Sequence, residues 1–207
     1  MKLTAVRMTK RGRVALYGDD EFLLSMHPDV FAASGLSVGS EVDGERLAGL
    51  AAEAELKKAK ERAFSMLSGR EYTSSQLRDR LARHVDPEAA GQAVERMEEL
   101  GLVDDDGYAE RYARELSERK HCGLLRIRQE LRQKGLSGAQ IEQALENVYA
   151  PDADGESPEL EAAAALVRSR YMKKLADGRR DLVVAALQRR GFAYSVIKEA
   201  IKRAEEE

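Results

Sequence analysis

The chain has 207 residues, 43% of them hydrophobic and 34% charged, with a formal net charge of −3. That length supports one or two ordinary cores, and the negative balance argues against a protein that simply coats nucleic acid. One cysteine, Cys122, excludes an internal disulfide and fits a reducing cytosol; no apolar run approaches the roughly 20 residues of a membrane span, and Met1–Met8 carries no apolar stretch of a secretory signal. A cytoplasmic protein is expected.

The first 45 residues read as a small β-rich domain. Leu3–Met8 and Arg13–Tyr17 are strand-like around a hairpin turn at Lys10–Gly12, and Glu21–Met26 is a third strand candidate. A short helical turn is expected near Pro28–Ala33. A sheet this small needs a partner to be stable, and the first long helix is the candidate.

From about residue 44 the punctuation is helical. Ser68-Gly69 ends one helix and Thr73-Ser74 begins the next. Asp86-Pro87 is an N-cap followed by proline at the first helical position, and Gly101 is the matching stop. Asp105 or Asp106 is expected to cap the helix of Tyr108 and Tyr112. Gly123 precedes the helix of Leu124, Ile127 and Leu131, Gly135 closes it, and Ser137–Gln140 has the form of a capping box. After an acidic linker at 151–157, Ser157-Pro158 restarts a helix along which Leu160, Ala164, Val167, Tyr171 and Leu175 keep helical spacing. Gly178 and Gly191 punctuate the last stretch.

These segments repeat. Arg128-Gln-Glu-Leu131-Arg-Gln-Lys-Gly135-Leu136 returns as Ala185-Ala-Leu187-Gln-Arg-Arg-Gly191-Phe192, with Ile141 and Leu145 answered by Ile197 and Ile201. A looser copy places Leu77 and Leu81 where the second has Ile127 and Leu131. A unit recurring at this period is one supersecondary element that buries its apolar face by stacking on neighbours. The expected fold is mainly α: three tandem three-helix repeats at 46–103, 104–150 and 158–207, forming an elongated curved array behind the β-rich 1–45. Such arrays present surfaces and seldom build catalytic pockets.

The charges are unevenly placed. Residues 84–110 hold nine acidic side chains and one basic, Arg96, whereas 167–203 hold eleven basic and three acidic. Within helices, Arg111 has Glu115, Arg114 has Glu118 and Arg126 has Glu130 at pairing distance in sequence. Arg128, Arg132, Arg168, Arg170, Arg179, Arg189 and Arg190 have no carboxylate three or four residues away. They are the candidate contacts to DNA or to an acidic partner surface. Arg132, Arg189 and Arg190 also lie near helix ends, where a cation favours the macrodipole without any partner.

No catalytic or metal constellation stands out. Asp104–Asp106 are adjacent, so their side chains diverge, and no EF-hand spacing surrounds them. His121-Cys122 cannot complete a zinc site, and the pair reads as a bend between helices. Walker, GxSxG and GxGxxG patterns are absent. The expectation is a protein that is not an enzyme and carries neither cofactor nor metal. Tyr108, Tyr112, Tyr171 and Phe192 fall at core spacing and read as packing residues.

Several of these motifs together resemble the RecX family of bacterial recombination regulators. They are Lys57, Ala59, Ala63, Leu67 and Ser68; Tyr72-Thr73 with Leu77 and Leu81; Gly101-Leu-Val-Asp-Asp with Tyr108-Ala109; and Arg126-Ile127, Glu130-Leu131 and Lys134-Gly135-Leu136. The resemblance covers roughly 55–205, leaving the first 45 residues outside. It implies a protein that binds the RecA recombinase, usually as its filament on single-stranded DNA, and inhibits strand exchange, ATPase and coprotease activities; a monomer is expected. A direct contact to single-stranded DNA through the arginines of the second and third repeats is a further expectation. The alternative is a stand-alone nucleic-acid-binding protein of recombination or repair.

Overall fold

The computed structural model describes residues 1–150 and 157–206, which form two compact units, Met1–Val103 and Asp104–Glu207. The acidic linker expected at 151–157 lies outside the described residues apart from Ser157. None of the helices described is long and apolar enough to cross a membrane.

The first unit opens with β1 (Leu3–Met8), β2 (Val14–Gly18) and β3 (Glu21–Met26), an antiparallel sheet in the order β1-β2-β3. Asp19 and Asp20 both take left-handed backbone angles in the two-residue β2–β3 turn, the geometry of a primed hairpin. One sheet face supplies Leu3, Val14, Leu16 and Met26 to a core completed by Val30 of α1 (Pro28–Ser34), by Val42, and by Leu50 and Ala54 of α2 (Gly44–Leu67). The 24 residues of α2 span about 36 Å, long enough to serve two cores. Its second half presents Ala59 and Ala63 to α3 (Ser74–Leu81) and α4 (Pro87–Glu99), where they meet Leu77, Leu81, Ala90, Ala93, Val94 and Met97. Thr73 and Asp86 cap α3 and α4 as the sequence indicates.

The second unit contains α5 (Asp105–Glu118), α6 (Leu124–Gln133), α7 (Gly138–Val148), α8 (Pro158–Arg170), α9 (Met172–Ala176), α10 (Arg180–Arg189) and α11 (Tyr194–Glu206). Ile127, Leu131, Leu136, Ile141, Ala144 and Leu145 fill one core. Val183, Leu187, Phe192, Ile197, Ala200 and Ile201 fill the same places in the next. The recurring leucine–glycine pattern has a physical meaning here. Gly135 donates to Arg132 O and Leu136 to Leu131 O; Gly191 donates to Gln188 O and Phe192 to Leu187 O. Each is a Schellman turn, closed by a left-handed glycine and sealed by an apolar residue that packs back on the helix. The looser upstream copy has no glycine: α3 closes through Val85, which donates to Leu81 O.

Two expectations need correction. The cap of α5 is Asp104, whose Oδ1 accepts from Gly107 N–H at 2.9 Å; Asp105 and Asp106 are already in the first helical turn. The helix restarted at Pro158 also breaks at Tyr171 (φ −123°, ψ −6°), giving α8 and α9, so the last bundle has four helices. Tyr171 still packs against the core, and no local glycine or proline marks the break. The capping assignment sets an expected outcome: Asp104→Ala costs about 1 kcal/mol in urea unfolding, and Asp106→Ala only about 0.3 kcal/mol from lost dipole interaction.

Candidate functional site

The joint between the α5–α7 and α8–α11 bundles organises the second unit. Helix α6 begins at Gly123, which has no side chain to cap its free amides. The other bundle supplies the acceptors instead. Gly123 N–H donates to Arg190 O at 2.8 Å, Leu125 N–H to Gly191 O at 3.1 Å, and Leu124 N–H to Glu159 Oε1 at 2.8 Å. Arg190 returns the contact, its guanidinium donating to Lys120 O at 2.7 Å.

The approach is so close that only glycine fits. A Cβ on Gly123 would stand 2.5 Å from Gly191 C and O and Phe192 N. A Cβ on Gly191, already left-handed, would collide with the backbone and Cβ of Arg126. Glu159 is 6% exposed, and burial raises its pKa, with the Leu124 amide and then Arg128 pulling it down. The bend before α6 is made by left-handed His121 and half-buried Cys122, whose thiol burial raises while Arg126, Arg190 and Lys120 pull it down.

The seven candidate arginines divide on either side of this joint. Three of them have partners that sequence spacing does not reveal. Arg128 grips Glu142 of α7 with Nε at 2.9 Å and Nη2 at 2.8 Å, a bidentate pair between helices. This bond holds the Glu142 carboxyl below its usual range. Arg168 reaches Glu161 at 2.6 Å, two turns back along α8. Arg190 is spent on the carbonyls of the α5–α6 bend. Their reading as cations without an internal partner is therefore overturned. Arg132, Arg170, Arg179 and Arg189 are exposed, and among the described residues none of them forms an ion pair. Arg126 pairs with Glu130 as expected, while Arg111 lies 3.7 Å from the cap carboxylate Asp104.

The aromatic residues behave as packing. Phe192 is fully buried, and Tyr108, Tyr112 and Tyr171 lie half-buried against the two cores. Lys120 and Lys134 sit over the Tyr112 ring at 5.7 and 5.0 Å. Among the described residues, no three His, Cys, Asp or Glu side chains are grouped as a metal site would need. Glu159 and Glu142 were missed by sequence reasoning because each partner lies well outside one helical turn. The signal available was the pair of glycines, readable as chain punctuation and not as a contact.

A fold of tandem helical bundles behind a small antiparallel sheet defines a helical-repeat protein. Family models agree: residues 59–97 match the RecX first three-helix domain and 104–145 the second. The regulatory protein RecX of Trichlorobacter lovleyi is 36% identical over 146 residues, covering 68% of this chain and 92% of that one. That of Halorhodospira halophila is 34% identical, covering 77% and 94%. The chain belongs to the RecX family of regulatory proteins. The likeness also reaches the N-terminal sheet, beyond the 55–205 expected from the motifs. The regulatory protein RecX of Clostridioides difficile is 25% identical over 97% of this chain. A crystal structure of regulatory protein RecX superposes with a TM-score of 0.73 at 26% identity, covering 98% of this chain and all of that one. RecX from Lactobacillus salivarius shares the fold over 74% of this chain, with a TM-score of 0.64.

Two outcomes are expected of the joint. Gly191→Ala or Gly123→Ala should cost more than about 2 kcal/mol and expose the Leu124 and Leu125 amides to hydrogen exchange. Gly138→Ala, whose Cβ meets nothing within 4 Å, should leave both unchanged. Glu159 binds its proton more tightly folded than unfolded. Its contribution to stability is therefore full below about pH 4.3, the unfolded value, and is lost as pH rises through the higher native pKa. Glu159→Gln keeps the acceptor without the charge, so its stability relative to the parent should improve from acid toward neutral pH. Glu159→Ala strands the Leu124 amide and should cost about 1–3 kcal/mol throughout.

Proposed function

We infer that this protein is a non-enzymatic regulator that binds the RecA recombinase in its filament on single-stranded DNA. It inhibits strand exchange, ATPase and coprotease activities. The observation that carries the reading is the near full-length likeness to regulatory proteins RecX, sheet and bundles together. The working parts are the β-rich 1–45 and the bundles at 46–103, 104–150 and 158–207. The bundles occupy the filament groove, contact neighbouring protomers and exclude a second DNA. The protein acts as a monomer in the cytoplasm.

Arg132, Arg170, Arg179 and Arg189 are the contacts of choice, because they are exposed and, among the described residues, form no ion pair. Arg128, Arg168 and Arg190 act one step back, holding α7, α8 and the joint in place. Co-sedimentation with recombinase filaments, run beside naked single-stranded DNA, tests the reading. Binding confined to the filament supports it, and equal binding to both favours a stand-alone nucleic-acid-binding protein.

The arginine assignment has its own expected outcome. Arg132→Glu with Arg189→Glu should lower filament affinity by more than about tenfold, at roughly 1.5–3 kcal/mol per charge-assisted contact, and relieve ATPase inhibition with circular dichroism unchanged. Arg128→Glu should instead lower stability, because it places a carboxylate against Glu142. If the exposed double reversal still inhibits at the parent's concentration, these arginines are only solvated.

A further inference from the structure

The bundles leave one surface of the first unit without a role, the solvent face of the β1–β2–β3 sheet. Strand register places Ala5 beside Tyr17 and Tyr17 beside Phe22, with Arg7 beside Ala15 one step along the same face. Phe22 is 59% exposed and meets the Tyr17 ring edge-on at 5.9 Å. The Arg7 guanidinium lies over Tyr17, 5.1 Å from its centroid. These groups form a continuous diagonal of cation, ring and ring across three strands, open to solvent.

Charge at the adjoining turn points the same way. Residues 1–18 contain Lys2, Arg7, Lys10, Arg11 and Arg13 and no acidic residue, in a chain whose net charge is −3. Among the described residues, Lys10 and Arg11 form no ion pair, and Arg13 is held toward this face by its bond to Ser25 O at 3.0 Å. The carboxylates Asp19, Asp20 and Glu21 cluster at the opposite turn. An exposed ring on a sheet, braced by a second ring and flanked by cations that form no ion pair among the described residues, offers a flat apolar face beside positive charge. An unstacked base has the flat face that a phenylalanine ring accepts, and its phosphates match the cations of the β1–β2 turn.

We propose that this sheet face is a stacking platform for single-stranded nucleic acid. One base stacks on Phe22, which Tyr17 braces from the side. Arg7 lies over Tyr17 and faces the backbone, and Lys10 and Arg11 take the flanking phosphates. The acidic turn repels phosphate, so the backbone runs on the Arg7 side and only bases reach Phe22. A duplex, whose bases are already stacked and paired, cannot use the rings. The site needs no recombinase, so it stands or falls separately from the filament reading.

The test uses the full chain, a fluorescein-labelled oligo(dT) and no recombinase, with anisotropy read over a salt series beginning at low salt. The parent should bind oligo(dT) more tightly than a duplex of equal length, and oligo(U) as competitor distinguishes a DNA from an RNA ligand. Phe22→Ala, an exposed position where folding is not at stake, should weaken binding about fivefold or more without altering the salt dependence. Lys10→Gln with Arg11→Gln should instead flatten the slope of log K against log salt by about 1.4, for two phosphate contacts on a single strand. An oligonucleotide carrying 5-iodouracil should photocrosslink to Phe22 or Tyr17. The proposal is overturned if the parent fails to bind oligo(dT) at low salt, if duplex binds equally well, or if both variants bind as the parent does. It is equally overturned if crosslinks fall only in residues 104–207, or if the variants lose affinity for recombinase alone while keeping oligo(dT).

Discussion

The second unit depends on how the amino terminus of α6 finds its hydrogen-bond acceptors. A helix start leaves backbone N–H groups with no partner inside the helix, and a buried start must find one elsewhere. Gly123 cannot cap, so Arg190 O, Gly191 O and the Glu159 carboxylate do. Glycine at 123 is thus a packing requirement, since any side chain there would displace the carbonyls that answer α6. The same requirement makes Gly191 serve twice: its left-handed angle ends α10, and its missing side chain lets Arg126 approach. The second role of Gly191 ties the turn chemistry of one bundle to the helix start of the other.

Glu159 carries the electrostatic part of this arrangement. A buried carboxylate is expensive unless bonded, and here one backbone amide and the nearby Arg128 offset part of the cost of burial, which still leaves the pKa raised. Arg128 in turn is aligned by its two bonds to Glu142. The pair therefore links α6 to α7 on one side and lends charge to the joint on the other. Such an arginine is poorly suited to meet a partner, because leaving Glu142 and Glu159 would uncover two carboxylates. Exposure and the lack of an ion pair among the described residues, rather than arginine content alone, separate Arg132 and Arg189 from Arg128.

Much of the helical fold was legible because its stops and starts are written in residues with narrow conformational preferences. Thr73, Asp86, Ser137 and Ser157 cap the helices they were expected to cap, and Gly101, Gly135, Gly178 and Gly191 take left-handed angles. The spacing of Leu131 and Leu187 from their glycines is legible for the same reason, since a Schellman turn is frequently accompanied by an apolar contact between the residue past the glycine and the last helical turn. What sequence could not supply was anything settled by tertiary contact. Three adjacent aspartates are equivalent on paper, and only the entry path of the chain selects Asp104. The break at Tyr171 carries no local marker. The partners of Arg128 and Arg190 depend on which helices meet, and i,i+4 pairing rules are blind to that. The exposure of Arg132, Arg170, Arg179 and Arg189 fits their sequence spacing, whereas the contacts of Arg190 and Glu159 that hold the joint have no sequence signature.

The N-terminal sheet is best understood through α2. Three strands alone make a marginal structure, yet Leu16 and Met26 are fully buried because α2 closes their core with Leu50 and Ala54. The same helix continues into the α3–α4 core through Ala59 and Ala63. Side chains reinforce the attachment: Lys57 of α2 bonds Asp29 of α1 at 3.1 Å, which lowers the Asp29 pKa, and Glu61 lies 3.5 Å from His27. A helix shared by two cores transmits orientation, since turning the sheet would require unpacking alanines whose small size allows the helices to approach closely. The sheet is consequently a fixed part of the first unit. Its inner face is committed to α2, and the rings of Tyr17 and Phe22 are held on the outer face at a set position relative to the α3–α4 bundle.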